Sequence, residues 1–151
     1  MRRFTWLLLL AVGCRTMARG TPAAGAASPR VAIDRFIAAA NAQDVQALLG
    51  AWGDEKGARL DRSSTPAERT QDERSAIILI CHLRNSTYKI GDSTPVAGER
   101  TVFDVDMNQG TAHATVRFTV ASTPAHRYFV EDFDLVTMQH AGFCSNSNKK
   151  P

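Results

Sequence analysis

Between Thr111 and Val120 the side chains alternate without a break. Ala112, Ala114, Val116, Phe118 and Val120 form one row, and Thr111, His113, Thr115, Arg117 and Thr119 form the other. A period of two with one apolar row is the pattern of a strand with one buried face. The stretch before it alternates too, with Thr101, Phe103, Val105 and Met107 against Arg100, Val102, Asp104 and Asp106. Both apolar rows must face the same core, because a one-residue slip turns a whole row to water. That parity demands an even-length turn. Placed at Gln109-Gly110, with Gly110 supplying the positive φ, the turn pairs Phe103 with Val116 and Val105 with Ala114. On the opposite face Asp106 then lies across from His113, and Asp104 sits diagonal to Arg117.

A third strand is expected in His126–Met138 (HRYFVEDFDLVTM), and its faces are ambiguous. An unbroken strand puts Phe129, Phe133 and Leu135 on one face together with Glu131. A bulge near Glu131-Asp132 instead turns Tyr128 and Val130 inward and brings Phe133 and Leu135 to the same side. The bulged reading avoids burying a lone carboxylate.

Helices precede the strands. Ser28 and Pro29 suit the N-cap and first position of a helix whose stripe is Ile33, Phe36, Ile37 and Ala40. Asp44 can cap a short second helix, Val45–Leu49. Gly50, Gly53 and Gly57 make a loop around Trp52, read as a hydrophobic plug at the helix–sheet edge, with ligand stacking as the rarer alternative. Arg59–Ser64 reads as polar loop. Thr65-Pro66-Ala67-Glu68 is a capping box that starts a third helix running to about Leu83. Its segment Ala76–Cys81 is apolar almost all round, so this helix is expected to be the most buried, lying across the sheet. Ser86–Thr94 reads as an edge strand ended by Pro95. The fold class is therefore α+β, with N-terminal helices packed on a curved antiparallel sheet.

The chain has 151 residues, enough for one domain with its own core. Its formal charge is +3, or +1 (3 − 2) without Arg2 and Arg3, and no dense Lys/Arg run marks a nucleic-acid surface. Cys81 and Cys144 lie in the folded part, and two cysteines in an exported domain more often pair than stay free. Closing that long loop would restrict the unfolded chain by about 4 kcal/mol in the chain-entropy model. Two cysteines without a CxxC or a spaced His pair are too few for a metal site, so no metal or cofactor is expected. Asp104, Asp106, Asp132 and Asp134 read as a solvated outer face, with His113 and Arg117 as counter-charges.

Arg2, Arg3 and the apolar run Phe4–Val12 read as a cleaved signal peptide over 1–13, too short for a permanent membrane span. Ala11-Val12-Gly13-Cys14 resembles the lipobox of bacterial lipoproteins, although leucine is commonest at the place of Ala11. The resemblance implies that Cys14 is diacylated and becomes the mature N-terminus, anchoring the domain in the cell envelope. Residues 14–27 then serve as the lipidated cysteine and a flexible tether, 28–144 as the folded domain and 145–151 as a disordered tail. Arg15 after the cysteine, rather than Asp, does not mark inner-membrane retention.

The order helix, short helix, long helix, curved sheet resembles the nuclear transport factor 2-like (cystatin-like, SnoaL-like) α+β cone. The resemblance rests on AIDRFIAAANAQDVQALLGAW and on the closing RYFVEDFDLV, and spans nearly all of 28–144. Such folds host catalytic members, among them ketosteroid isomerases, dehydratases and polyketide cyclases, and many non-catalytic ones. The catalytic members keep an acid/base group inside the cone. Here the expected lining is Phe103, Val105, Val116, Phe118, Phe133 and Trp52, which holds no general base. Only Glu131, on an unbulged strand, could act so, with Tyr128 as an oxyanion donor. The sequence thus favours a non-catalytic exported domain that binds a small apolar or amphipathic ligand or an envelope partner protein. The alternative is a SnoaL-like or ketosteroid-isomerase-like enzyme using Glu131.

Overall fold

The computed structural model describes residues 24–145. The expected signal peptide, Cys14, most of the tether and nearly all of the tail lie outside the described residues. The chain is α+β, helices first and then a four-stranded antiparallel sheet.

Helix α1 spans Pro29–Ala42, with the Ser28 hydroxyl accepting from the Val31 N–H and proline in the first turn. It ends at Gln43 in the left-handed region (φ 56°), where the backbone N–H closes back onto Ala39 and Ala40. Asp44 caps α2, Val45–Ala51, through the Ala47 N–H. Strands β1 (Gly53–Asp54) and β2 (Gly57–Ala58) form a tiny hairpin. Gly53 is dictated there, because a Cβ would lie 2.2 Å from the Gly57 carbonyl oxygen. The expected polar loop at Arg59–Ser64 is mostly a helical turn, α3, Arg59–Arg62. Helix α4, Pro66–Leu83, begins with both halves of the capping box formed between Thr65 and Glu68.

The sheet order is β3 (Thr87–Val96), β4 (Arg100–Gln109), β5 (Ala112–Ser122), β6 (Tyr128–Phe133). The faces of β4 and β5 are as the alternation requires, but the register is displaced by two residues. Phe103 pairs with Phe118, Val105 with Val116 and Met107 with Ala114. Asp104 sits directly across from Arg117, and His113 faces Asn108 rather than Asp106. The turn is Gly110-Thr111, with positive φ at Gly110 (60°) and not at Thr111, the pattern a type II′ turn needs. Alternation excludes odd slips and is blind to even ones, so the two-residue difference comes from the turn.

Strand β6 carries the bulge. Thr119 pairs with Asp132 and Val120 with Val130, so Glu131 is the extra residue. The strand is shorter than expected. Asp134 stops it by accepting from the Thr137 N–H and hydroxyl, and Leu135–His140 is a helix, α5, so Leu135 is not on the sheet.

Helices α1, α2 and α4 cover the apolar face. Ile33, Phe36, Ile37, Leu48, Leu49, Leu83, Met107, Val116 and Phe118 are fully buried between them. The other face carries exposed Asp104, Asp106, His113, Thr115 and Arg117. At one end that face is also covered. Ala26 exchanges backbone hydrogen bonds with Tyr128 (2.9 and 3.1 Å), and Gly25 lies so close over the Phe129 ring that a Cβ would reach to 2.6 Å. Ala24–Ala27, read as the end of the tether, is thus docked on β6, and Arg35 and Arg127 donate to the Gly25 carbonyl to hold it.

Helix α4 is not the most buried helix. Ala76, Ile80 and Leu83 face the core, whereas Ile77 and Ile78 are 58% and 61% exposed. An all-round apolar segment has no period to say which residues turn outward, and the core takes only one stripe of this one. Cys81, near its end, is bonded to Cys144 across a Cα–Cα distance of 5.2 Å, as the cysteine count predicts. Gln109 reinforces this corner. Its amide donates to the Cys81 and Arg84 carbonyls, and its carbonyl accepts from the Cys144 N–H.

Candidate functional site

Glu131 is displaced from the inner row by the bulge and held by Arg100. The Arg100 Nε donates to Glu131 Oε2 at 2.5 Å and a terminal nitrogen donates to Oε1 at 2.7 Å, a two-point fork. The same guanidinium reaches Glu55 of the β1–β2 hairpin at 2.8 Å. The hydrogen bonds and charge of Glu131, and then Glu55, raise the Arg100 pKa above its already high value. Arg100 alternates with Thr101 and Phe103 on β4, so the fork lies on the face away from the core. A carboxylate clasped in this way ties a hairpin to a sheet. Tyr128, the other candidate, starts β6 half-buried, paired with Ser122 and bridged to Ala26.

The residues expected to line a pocket divide into two groups. Phe103, Val105, Val116, Phe118 and Phe133 are buried core. The Phe118 and Phe133 rings stack at 5.5 Å between centroids, and Phe36 of α1 packs on them at 6.5 and 5.8 Å. These three rings occupy the space between helices and sheet.

Trp52 instead borders a surface groove of about 280 Å³, which an edge of the Phe133 ring also reaches and which Ser75, Ile78 and Leu79 of α4, Asp132 of β6 and Leu135 of α5 complete. Trp52 ends α2 and runs beside Val130, and its indole N–H donates to the Glu131 carbonyl at 3.3 Å. The Arg59 guanidinium lies 3.8 Å over the indole ring and pairs with Asp72 at 3.4 Å. The indole is therefore fixed at its edge and on its Arg59 side before anything enters the groove. Five of the seven lining side chains are apolar or aromatic, and Ile77 and the α5 residue Val136 (59% exposed) add uncovered apolar surface on the same two helices.

Sequence reasoning places Trp52 and Phe133 at a binding wall but misses Ser75, Ile78, Leu79, Asp132 and Leu135. The available signal was the surplus of apolar residues in Ala76–Cys81, more than one buried stripe can absorb.

A second depression, of about 290 Å³, lies on the open sheet face among Asp92, Thr94, Val96, Val102, Asp104 and Arg117. Arg117 and Asp104 pair there at 3.6 Å with both side chains well exposed, an arrangement worth little energetically. Asp106 bonds the Thr115 hydroxyl at 2.6 Å instead of His113. Among the described residues no three His, Cys, Asp or Glu side chains converge as metal ligands, and no helix is long and apolar enough to cross a membrane.

No family model matches the sequence, and no curated protein matches it.

Proposed function

We propose that this chain is a non-catalytic, exported lipoprotein domain of the nuclear transport factor 2-like type, which binds an apolar or amphipathic ligand in the groove between α4, α5 and Trp52. The observation that carries the reading is the groove itself: an apolar wall on a pre-set indole, open to solvent, beside a core already filled by Phe36, Phe118 and Phe133. Its volume is near the lower end of ligand sites, so it fits a short chain or one end of a larger amphiphile. The Arg100 fork on Glu131 weighs against the isomerase-like alternative.

Anchoring through Cys14 would keep this groove near the envelope membrane, where amphiphiles are abundant. The exported location agrees with the Cys81–Cys144 bond, which oxidising compartments favour. A second reading, docking of an envelope partner protein, is favoured by exposed Ile77, Ile78 and Val136 beside the groove.

Native mass spectrometry of the protein purified from its membrane tests the first reading. A bound small molecule that is absent from Ile78→Glu supports it. An unliganded protein with a stoichiometric partner that Ile78→Glu releases supports the second reading instead. Labelling with radioactive palmitate that Cys14→Ser abolishes is the expected result for the anchor, and equal labelling of both chains would refute it.

A further inference from the structure

We infer that the outer face of α4, with the chain end bonded to it, is a docking surface for an anionic lipid bilayer. Neither a filled groove nor an acylated Cys14 is needed for it. Arg74, Ile77, Ile78 and Cys81 recur at helical spacing, so they lie along one stripe of α4. Ile77 and Ile78 are its exposed apolar centre, and Arg84 follows Ile77 by two turns, at the C-cap. Cys81 bonds Cys144, which ties the segment after α5 to this helix, and α5 adds exposed Val136. Ile77, Ile78 and Val136 are the three most exposed large apolar side chains among the described residues. Clustered exposure of this kind marks a surface that meets a partner or an apolar phase.

Charge selects the lipid surface. Residues 74–86 and 135–151, the two segments that the disulfide joins, contain no Asp or Glu and carry Arg74, Arg84, Lys149 and Lys150. Arg74 and Arg84 are exposed and make no ion pair among the described residues. Lys149 follows Ser145 by four residues, so chain length alone keeps it within about 15 Å of that corner. The nearby carboxylates are engaged or turned elsewhere. Asp72 pairs with Arg59, Glu73 accepts from Gln46 and Asp134 caps α5. Asp132 stands in register with Thr119, on the open face of the sheet. Aliphatic side chains edged by unpaired cations suit the bilayer interface, with the former among the upper acyl chains and the latter at the phosphates. A second copy docked on the stripe would set cations against cations, which disfavours it.

The test mixes the full chain with vesicles of phosphatidylcholine, alone or with about 30% phosphatidylglycerol, and pulses them with hydroxyl radicals. Mass spectrometry then reads oxidation at Ile77, Ile78 and Val136, with exposed Val96 of β3 as the internal reference. On phosphatidylglycerol vesicles the three side chains should lose at least about two-thirds of their oxidation while Val96 keeps its own. Salt at about 1 M should restore most of it. Arg74→Gln combined with Arg84→Gln should raise the vesicle concentration for half-protection about tenfold. Ile77→Ser combined with Ile78→Ser should abolish the protection of Val136. The same protection in a chain carrying Cys14→Ser supports a face that acts without an anchor. Equal oxidation on the two vesicle types, or protection indifferent to the arginine variant, overturns the inference. Protection without vesicles overturns it as well, assigning the face to a second copy if it grows with protein concentration and to a co-purified protein if it does not.

Discussion

Arg100 grips both carboxylate oxygens of Glu131 and, through the same guanidinium, Glu55 on a separate hairpin. The fork ties that hairpin to the sheet. Arg100→Ala should free the β1–β2 hairpin and strand two carboxylates, lowering the thermal midpoint more than Glu131→Gln does. Hydrogen exchange at 53–58 should rise in Arg100→Ala and stay near wild type elsewhere in the sheet. Equal exchange in both proteins would show that the fork does not hold the hairpin.

The outward turn of α4 has a direct consequence. Ile77→Ser and Ile78→Ser should each change stability by no more than about 0.5 kcal/mol in urea unfolding, because both side chains already face water. Leu83→Ala, on the buried stripe of the same helix, should cost about 2–5 kcal/mol. A cost of core size at Ile77 or Ile78 would mean that α4 is rotated from this placement.

The Cys81–Cys144 bond joins α4 to the end of the chain that follows α5. Reducing it, or replacing both cysteines by serine, should lower unfolding stability by about 4 kcal/mol. The Leu135 and Ile78 walls of the groove should then shift relative to one another, since α5 loses its covalent tie to α4. Unfolding curves that coincide with and without reductant would refute this role.

Three carboxylates make the fold acid-sensitive. The Thr65 and Ser64 donors at the capping box hold the Glu68 pKa down, and the Thr137 hydroxyl and N–H do the same for Asp134. Burial pushes Asp54 upward, but the Lys56 N–H and Arg62 outweigh it and leave its pKa lowered. For such groups the stabilisation is fully present above the unfolded carboxylate pKa of about 4 and is lost as pH falls through the lower folded value. Melting temperature should therefore be flat above about pH 5 and fall below about pH 4. Glu68→Gln combined with Asp134→Asn should make that fall shallower.

Much of the architecture was legible in the sequence because its signals are local. Ser28, Asp44 and Thr65 cap helices where their side chains permit, and the rows of Phe103 and Phe118 point inward as alternation demands. The bulge at Glu131 followed from the cost of burying a carboxylate. The register of β4 on β5 was not legible, since a two-residue slip preserves every face. The end of β6 was missed although Asp134-Leu135-Val136-Thr137 carries a capping pattern, because the apolar residues after it also suit a strand. The groove was beyond reach, because its walls come from α2, α4, β6 and α5 and meet only in three dimensions.

Methyl NMR of the isoleucine- and leucine-labelled protein titrated with octanol tests the central claim most directly. The account predicts shifts at Ile78, Leu79 and Leu135, with Ile33, Ile37 and Leu83 in the closed core unmoved. Shifts confined to the core methyls would place the ligand between helices and sheet, and would contradict it.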